Sequence, residues 1–198
     1  TLTNNATPTI EGIAEPNSTI NLINNGSTIG TASTNSSGTF VVTPSSVLTD
    51  GTYSLTAKST DSAGNTSSAS SGLSIEIDTI SPSVNGVTST STNGTYERGD
   101  TVNISVGFSE EVNVTGAPTL RLDLEGPTDR TATYSSGSGS STLVFNYTIQ
   151  AGDTSSDLEY VNGDNTLLLG YHPGSSATIK DSVGNNANLT LPSIGSSS

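Results

Sequence analysis

The amino-acid sequence predicts an all-β fold of antiparallel sandwiches, and three observations carry that reading. Apolar and polar residues alternate with a period of two. Gly, Asn and Pro interrupt the runs every ~8–12 residues, and no window holds a 3.6-residue apolar stripe.

Taken in order, Leu73, Ile75 and Ile77 alternate with Ser74 and Glu76, and Val102, Ile104, Val106 and Phe108 alternate with Asn103, Ser105 and Gly107. Leu120, Leu122 and Leu124 alternate with Arg121 and Asp123, and Leu143, Phe145, Tyr147 and Ile149 alternate with Val144, Asn146 and Thr148. Each run puts one face in a core and the other in water. The Ser/Gly run from Ser135 to Ser141 predicts a flexible hairpin tip, and Gly195 to Ser198 a frayed tail.

A turn motif sets the domain count. Asp61-Ser-Ala-Gly-Asn65 recurs as Asp181-Ser-Val-Gly-Asn185, each after a short apolar strand and before a polar one. Two copies of one turn in the same context mean two units of one design. Asp78-Thr-Ile-Ser-Pro82 is the seam, which places the domains at 1–79 and 80–198. The beginning, Thr1-Leu-Thr-Asn-Asn5, reads as that of an excised segment.

Composition narrows the function. The 198 residues carry 18 Asp+Glu against 5 Lys+Arg, a formal net charge of −13. So few bases argue against the cationic patch that nucleic acid or an anionic membrane surface requires. Only 30% of residues are hydrophobic, and Ser, Thr and Asn supply about two residues in five. Cysteine is absent, so there is no disulfide framework, thiolate metal site or thiol nucleophile. No apolar run is long enough to span a bilayer.

Leu48-Thr-Asp-Gly-Thr-Tyr53 matches the corner of immunoglobulin-like folds, in which a Tyr hydroxyl bonds back across a bend; a plain Asp-Gly turn followed by a core Tyr is the alternative. With Thr7-Pro-Thr-Ile-Glu-Gly12, Asn25-Gly26, Gly38-Thr-Phe40, Asp61 to Asn65 and Ile77-Asp-Thr79, residues 7–79 resemble the bacterial Ig-like repeats of giant surface adhesins. Residues 80–192 resemble a longer sister repeat through Gly99-Asp-Thr101, Phe108-Ser-Glu110, Arg130-Thr-Ala-Thr-Tyr134, Gln150-Ala-Gly-Asp153 and Ile179 to Asn185. The longer repeat ends in a further apolar strand and an Asp-Thr linker, which this chain lacks before Ser198. The resemblance implies two tandem immunoglobulin-like antiparallel β-sandwich domains in a secreted, extracellular adhesion or biofilm protein, with Ca²⁺ stiffening the joints between repeats.

Strand direction alone leads to the same cation. In sandwiches strung end to end, the turn before the last strand returns to the N-terminal pole. Asp181 and Asn185 are therefore expected beside the seam, where Asp78 arrives and where the second strand, ending at Phe108, delivers Glu110 and Glu111. Carboxylates ~5 Å apart repel by roughly 3 kcal/mol at an effective dielectric near 20. Ca²⁺, a hard cation taking 6–8 irregular oxygen ligands, relieves that repulsion. Solvated loop acids are the alternative, and it is preferred for Glu76. Asp61 is expected at the equivalent pole of the first domain, in an incomplete site. Asp100, Asp123, Asp129, Asp153 and Asp157 read as turn or solvent-face residues.

Catalytic chemistry is missing. His172, in a Tyr-His-Pro-Gly turn, has no Cys or second His to make a zinc site or a base. There is no Gly-x-Ser-x-Gly elbow. Lys58 and Lys180 read as solvent-face residues rather than isopeptide crosslinks, and the sequons at Asn17, Asn93, Asn103 and Asn146 as chance matches in a Ser/Thr-rich chain. The expectation is a monomeric, non-enzymatic spacer whose partners are neighbouring repeats. The alternatives are a module binding host or biofilm glycans through loops such as Glu125 to Arg130 and Leu168 to Gly174, or an ancillary domain of a secreted hydrolase.

Overall fold

Among the described residues every regular element is a β-strand, as the alternation predicts. The computed structural model describes residues 1–125, 129–161, 167–168 and 176–193. The chain divides into two compact units, Thr1–Ile80 and Ser81–Ser198.

The first unit is a sandwich of two sheets. Its strands are β1 (Leu2–Thr3), β2 (Ile10–Ile13), β3 (Thr19–Asn24), β4 (Ser27–Ser33), β5 (Thr39–Val42), β6 (Gly51–Thr60) and β7 (Leu73–Ile77). One sheet runs β1-β7-β6-β3-β4, and β2 pairs with β5 in the other. Ile20, Leu22, Phe40, Val42, Leu55, Ile75 and Ile77 form the core between them. Phe40 lies over Gly12, where an added Cβ would come within 2.4 Å of the ring, so the second sheet needs a residue without a side chain there. Asn25 and Gly26, with φ of 47° and 82°, turn β3 into β4 in the two-residue hairpin that an Asn-Gly pair favours.

Two expectations change here. Pairing is not wholly antiparallel, because β1 lies parallel to β7, Leu2 beside Glu76 and Thr3 beside Ile77. No hairpin joins these strands, so no short turn forces them to oppose, and the Thr1 amino group bonds Ser74 O at 3.2 Å where β7 starts. Leu73 keeps the alternation but is 41% exposed, since it lies where β7 begins, at the margin of the core.

In the second unit the strands are β8 (Val84–Ser89), β9 (Thr101–Thr115), β10 (Thr119–Asp123), β11 (Arg130–Ser136), β12 (Ser140–Thr148), β13 (Glu159–Tyr160), β14 (Leu167–Leu168) and β15 (Thr178–Lys180). The sheet runs β13-β10-β11-β12-β9-β15, with β8 also on β9 and β14 on β10. The apolar positions read from the runs of β9, β10 and β12 are buried from Val102 through Leu124 to Tyr147, while Ile149, just past the end of β12, is partly buried.

The Ser135–Ser141 run is not a long flexible tip. Strands β11 and β12 extend into it and leave only Gly137 to Gly139 as the turn. That turn is tied to β9: Gly139 N–H donates to Val112 O at 2.9 Å, and Ser138 Oγ accepts from Val114 N–H at 2.9 Å. A serine run leaves its backbone donors and acceptors to be satisfied by neighbours, and here a neighbouring strand supplies them.

Candidate metal centre

Strand β9 does not end at Phe108 as expected. It continues to Thr115, so Glu110 and Glu111 lie within a strand rather than in a loop. Gly107 faces Thr142 on β12 and Val112 faces Ser140, so β9 bulges widely between them. Phe108 and Val112 stay buried on either side, and Glu110 and Glu111 lie on the bulge. A bulge bends its strand and re-aims side chains. Beyond it, Asn113 to Thr115 pair with β15.

That pairing brings the two acids of this unit together. Lys180 is opposite Asn113, so Asp181 follows β15 at the level where β9 bulges. A carboxylate oxygen of Glu110 lies within 4.8 Å of one of Asp181. Glu110 is half-buried, whereas Asp181 is only 5% exposed. The start of the unit runs past the same place. Ser109 N–H donates to Ser83 O at 2.8 Å, and Asn188 N–H donates to Pro82 O at 2.7 Å.

Three hydrogen bonds to the aspartate carboxylate recur in both copies of the turn, and Gly184 adds a fourth in the second. Asp181 Oδ1 accepts backbone N–H groups from Val183, Gly184 and Asn185 at 2.9, 2.7 and 2.8 Å, and Oδ2 accepts the Asn185 amide at 2.6 Å. Asp61 Oδ1 accepts Ala63 and Asn65 N–H at 2.9 and 2.8 Å, and Oδ2 accepts the Asn65 amide at 2.8 Å. The Asn65 side chain and the backbone N–H groups hold the Asp61 carboxyl below the usual carboxylate range. Both aspartates therefore organise their own loops. Asn185 faces Asp181 through its amide nitrogen, and its amide oxygen is the atom of the side chain with metal-ligating chemistry.

Asp78 follows β7 in the first unit; its N–H donates to Thr3 O at 3.0 Å, and its Oδ1 accepts Ile80 N–H at 3.2 Å. Glu76 and Glu111 are exposed. Asp50, unremarked in the sequence except as part of a turn, accepts both the N–H and the hydroxyl of Thr79, at 2.9 and 2.8 Å, and so fixes the chain beside Asp78.

Asp153 overturns its solvent-face reading. Its side chain is 5% exposed in an ion pair with Arg130 Nε at 2.9 Å, and it accepts Tyr147 OH and Gln150 N–H. Burial pushes its carboxyl up, but the bonds from Tyr147, Gln150 and Arg130 outweigh it and hold the group below the usual range. Burial first, and Asp153 second, push the Tyr147 hydroxyl up to about 12. Asp129, by contrast, makes an exposed ion pair with Arg121, and Asp100 caps a turn through Glu97 N–H. Lys58 and Lys180 are half-buried on β6 and β15. His172, residues 126–128 of the first candidate ligand loop and residues 169–174 of the second lie outside the described residues.

Residues 1–79 match the family model of the bacterial Ig-like domain. The match spans the first unit, which resembles that domain. The chain matches no curated protein.

Proposed function

We propose that the protein is a spacer segment of a bacterial cell-surface adhesin, two tandem Ig-like repeats whose connecting segment is stiffened by Ca²⁺. The observation that carries this reading is the Glu110–Asp181 pair. Two carboxylate oxygens within 4.8 Å of each other repel by on the order of 3 kcal/mol at an effective dielectric near 20, less where water screens the half-buried Glu110. A divalent oxygen-seeking cation turns that repulsion into binding energy. Asp78 is the third ligand of the proposal on grounds of chain length. It precedes Pro82 by four residues, a tether of at most about 14 Å, and Pro82 and Ser83 are bonded to the segments that carry the pair. Backbone carbonyls and the Asn185 amide oxygen complete the shell, with Glu111 at its margin.

The function follows from the mechanics. A free linker lets successive repeats swing, whereas an ion held by both the linker and the following repeat fixes it and lengthens the reach of the stalk. The test is thermal melting and small-angle scattering with Ca²⁺ or EDTA, on wild type and Asp78→Ala. Ca²⁺ is expected to raise the melting temperature and the maximum dimension of wild type, and to change the dimension of Asp78→Ala little. Identical curves with Ca²⁺ and EDTA would refute the stiffening.

One observation favours a second reading, recognition of a neutral glycan. The second unit holds a cleft of about 1180 Å³ whose lining includes Tyr96, Tyr160, Asn93, Glu125, Asp157 and Glu159. Hydroxyl bonds to backbone carbonyls fix both tyrosines, Tyr96 to Thr92 and Tyr160 to Pro192. Fixed aromatic rings beside polar groups suit a sugar. A glycan array on wild type and Tyr160→Ala separates a binding module from a plain spacer.

A further inference from the structure

Three Asn-Gly pairs lie in the described residues, and the fold treats them differently. Asn25-Gly26 is closed in a two-residue hairpin, its φ values of 47° and 82° fixed by the flanking Asn24–Ser27 pair. Asn85 is on β8, its amide donating to Phe108 O at 3.1 Å, with Gly86 paired to Gly107. Asn93-Gly94 is exposed and outside every strand, and among the described residues no hydrogen bond holds either one. A Cβ added at Gly94 would meet nothing within 4 Å.

We propose that Asn93 is a site of spontaneous modification, at which the side-chain amide is lost and the backbone acquires an isoaspartyl link. The Gly94 backbone nitrogen attacks Asn93 Cγ, giving up its proton to solvent base as the C–N bond forms. The Cγ–Nδ2 bond breaks and ammonia leaves with a proton. Water then opens the five-membered imide at either carbonyl, giving Asp or isoaspartate, with no change of oxidation state. Ring closure requires rotation about the Asn93 backbone, and among the described residues no hydrogen bond of Asn93 or Gly94 has to break for it. At Asn25 the same rotation breaks the hairpin turn, and at Asn85 it breaks the Phe108 bond and the β8–β9 pairing.

The consequence is particular to this fold. The Tyr96 hydroxyl bonds Thr92 O, closing a loop that contains Asn93, Gly94 and Thr95, and Tyr96 packs on the core. Isoaspartate inserts one extra backbone carbon into that closed loop, and either product adds a carboxylate to a chain already at −13.

The experiment incubates the whole chain in warm, mildly alkaline buffer and maps the gain of one mass unit by tandem mass spectrometry, native and in urea. Conversion at Asn93 is expected to exceed that at Asn25 and Asn85 by at least about tenfold in the native chain, because the latter two must first open locally. In urea the three rates should converge, Gly94→Ala should slow Asn93 alone, and the aged native chain should melt lower. Native rates at Asn25 or Asn85 equal to that at Asn93, or an Asn93 that survives natively while reacting in urea, would overturn the proposal.

Discussion

The Asn185 side-chain amide donates to Asp181 Oδ2 at 2.6 Å, while its backbone N–H donates to Oδ1 at 2.8 Å. One asparagine thereby occupies both oxygens of a carboxylate that is 5% exposed, and two further backbone donors converge on Oδ1. Removing the acceptor leaves those donors facing a buried void. Asp181→Ala is expected to destabilise the second unit by about 2–3 kcal/mol, whereas Asp181→Asn, which keeps an acceptor oxygen, should cost less. Urea unfolding measures both, and an alanine variant with the wild-type midpoint would contradict the loop's role.

Tyr53 OH donates to Thr49 O at 2.8 Å across the bend before β6, the corner that the sequence left open against a plain turn. Tyr53→Phe keeps the ring and loses the bond, and should cost about 1 kcal/mol. Tyr96 makes the same four-residue return to Thr92 in the second unit, so Tyr96→Phe should weaken its own unit similarly. Chemical denaturation of each variant checks this.

Asp153 ties stability to acid. Its folded-state value lies below the ordinary carboxylate value near ~3.9, so its contribution is complete above that pH. The contribution is lost as the pH falls through the folded-state value. Asp153→Asn should therefore lower the melting temperature at neutral pH and flatten its fall in acid, as scanning calorimetry from neutral to acid pH would show. A fall as steep as that of wild type would contradict this.

Tyr147 ties stability to base. Its hydroxyl is raised to about 12, above the ordinary Tyr value near ~10. The stability it confers is whole below the ordinary value and drains as the pH rises through the folded-state one. Ultraviolet titration should show this tyrosine ionising after the exposed ones, and Tyr147→Phe should lose the latest step.

The strands were legible because one face of each is apolar, and the period-two signal in Leu120–Leu124 or Leu143–Tyr147 needs no tertiary information. The doubled Asp-x-x-Gly-Asn turn was legible because its chemistry is local: the aspartate bonds the backbone within four residues. What could not be read depends on partners distant in sequence. The β9 bulge exists because β12 and β15 take its two halves, and nothing in Ser109-Glu-Glu-Val112 announces that. Asp153 looked like a turn acid because Arg130, 23 residues away, becomes its partner only in the fold. Asp50, which holds Thr79, escaped notice for the same reason.

The most direct test of the central claim is calorimetric titration of the chain with Ca²⁺, beside Glu110→Gln, which keeps the side-chain shape and removes one charge of the pair. Wild type is expected to bind saturably near the ~10⁻⁴–10⁻³ M range of extracellular modules, and Glu110→Gln at least about tenfold more weakly. No binding by wild type, or equal binding by the two proteins, would contradict it.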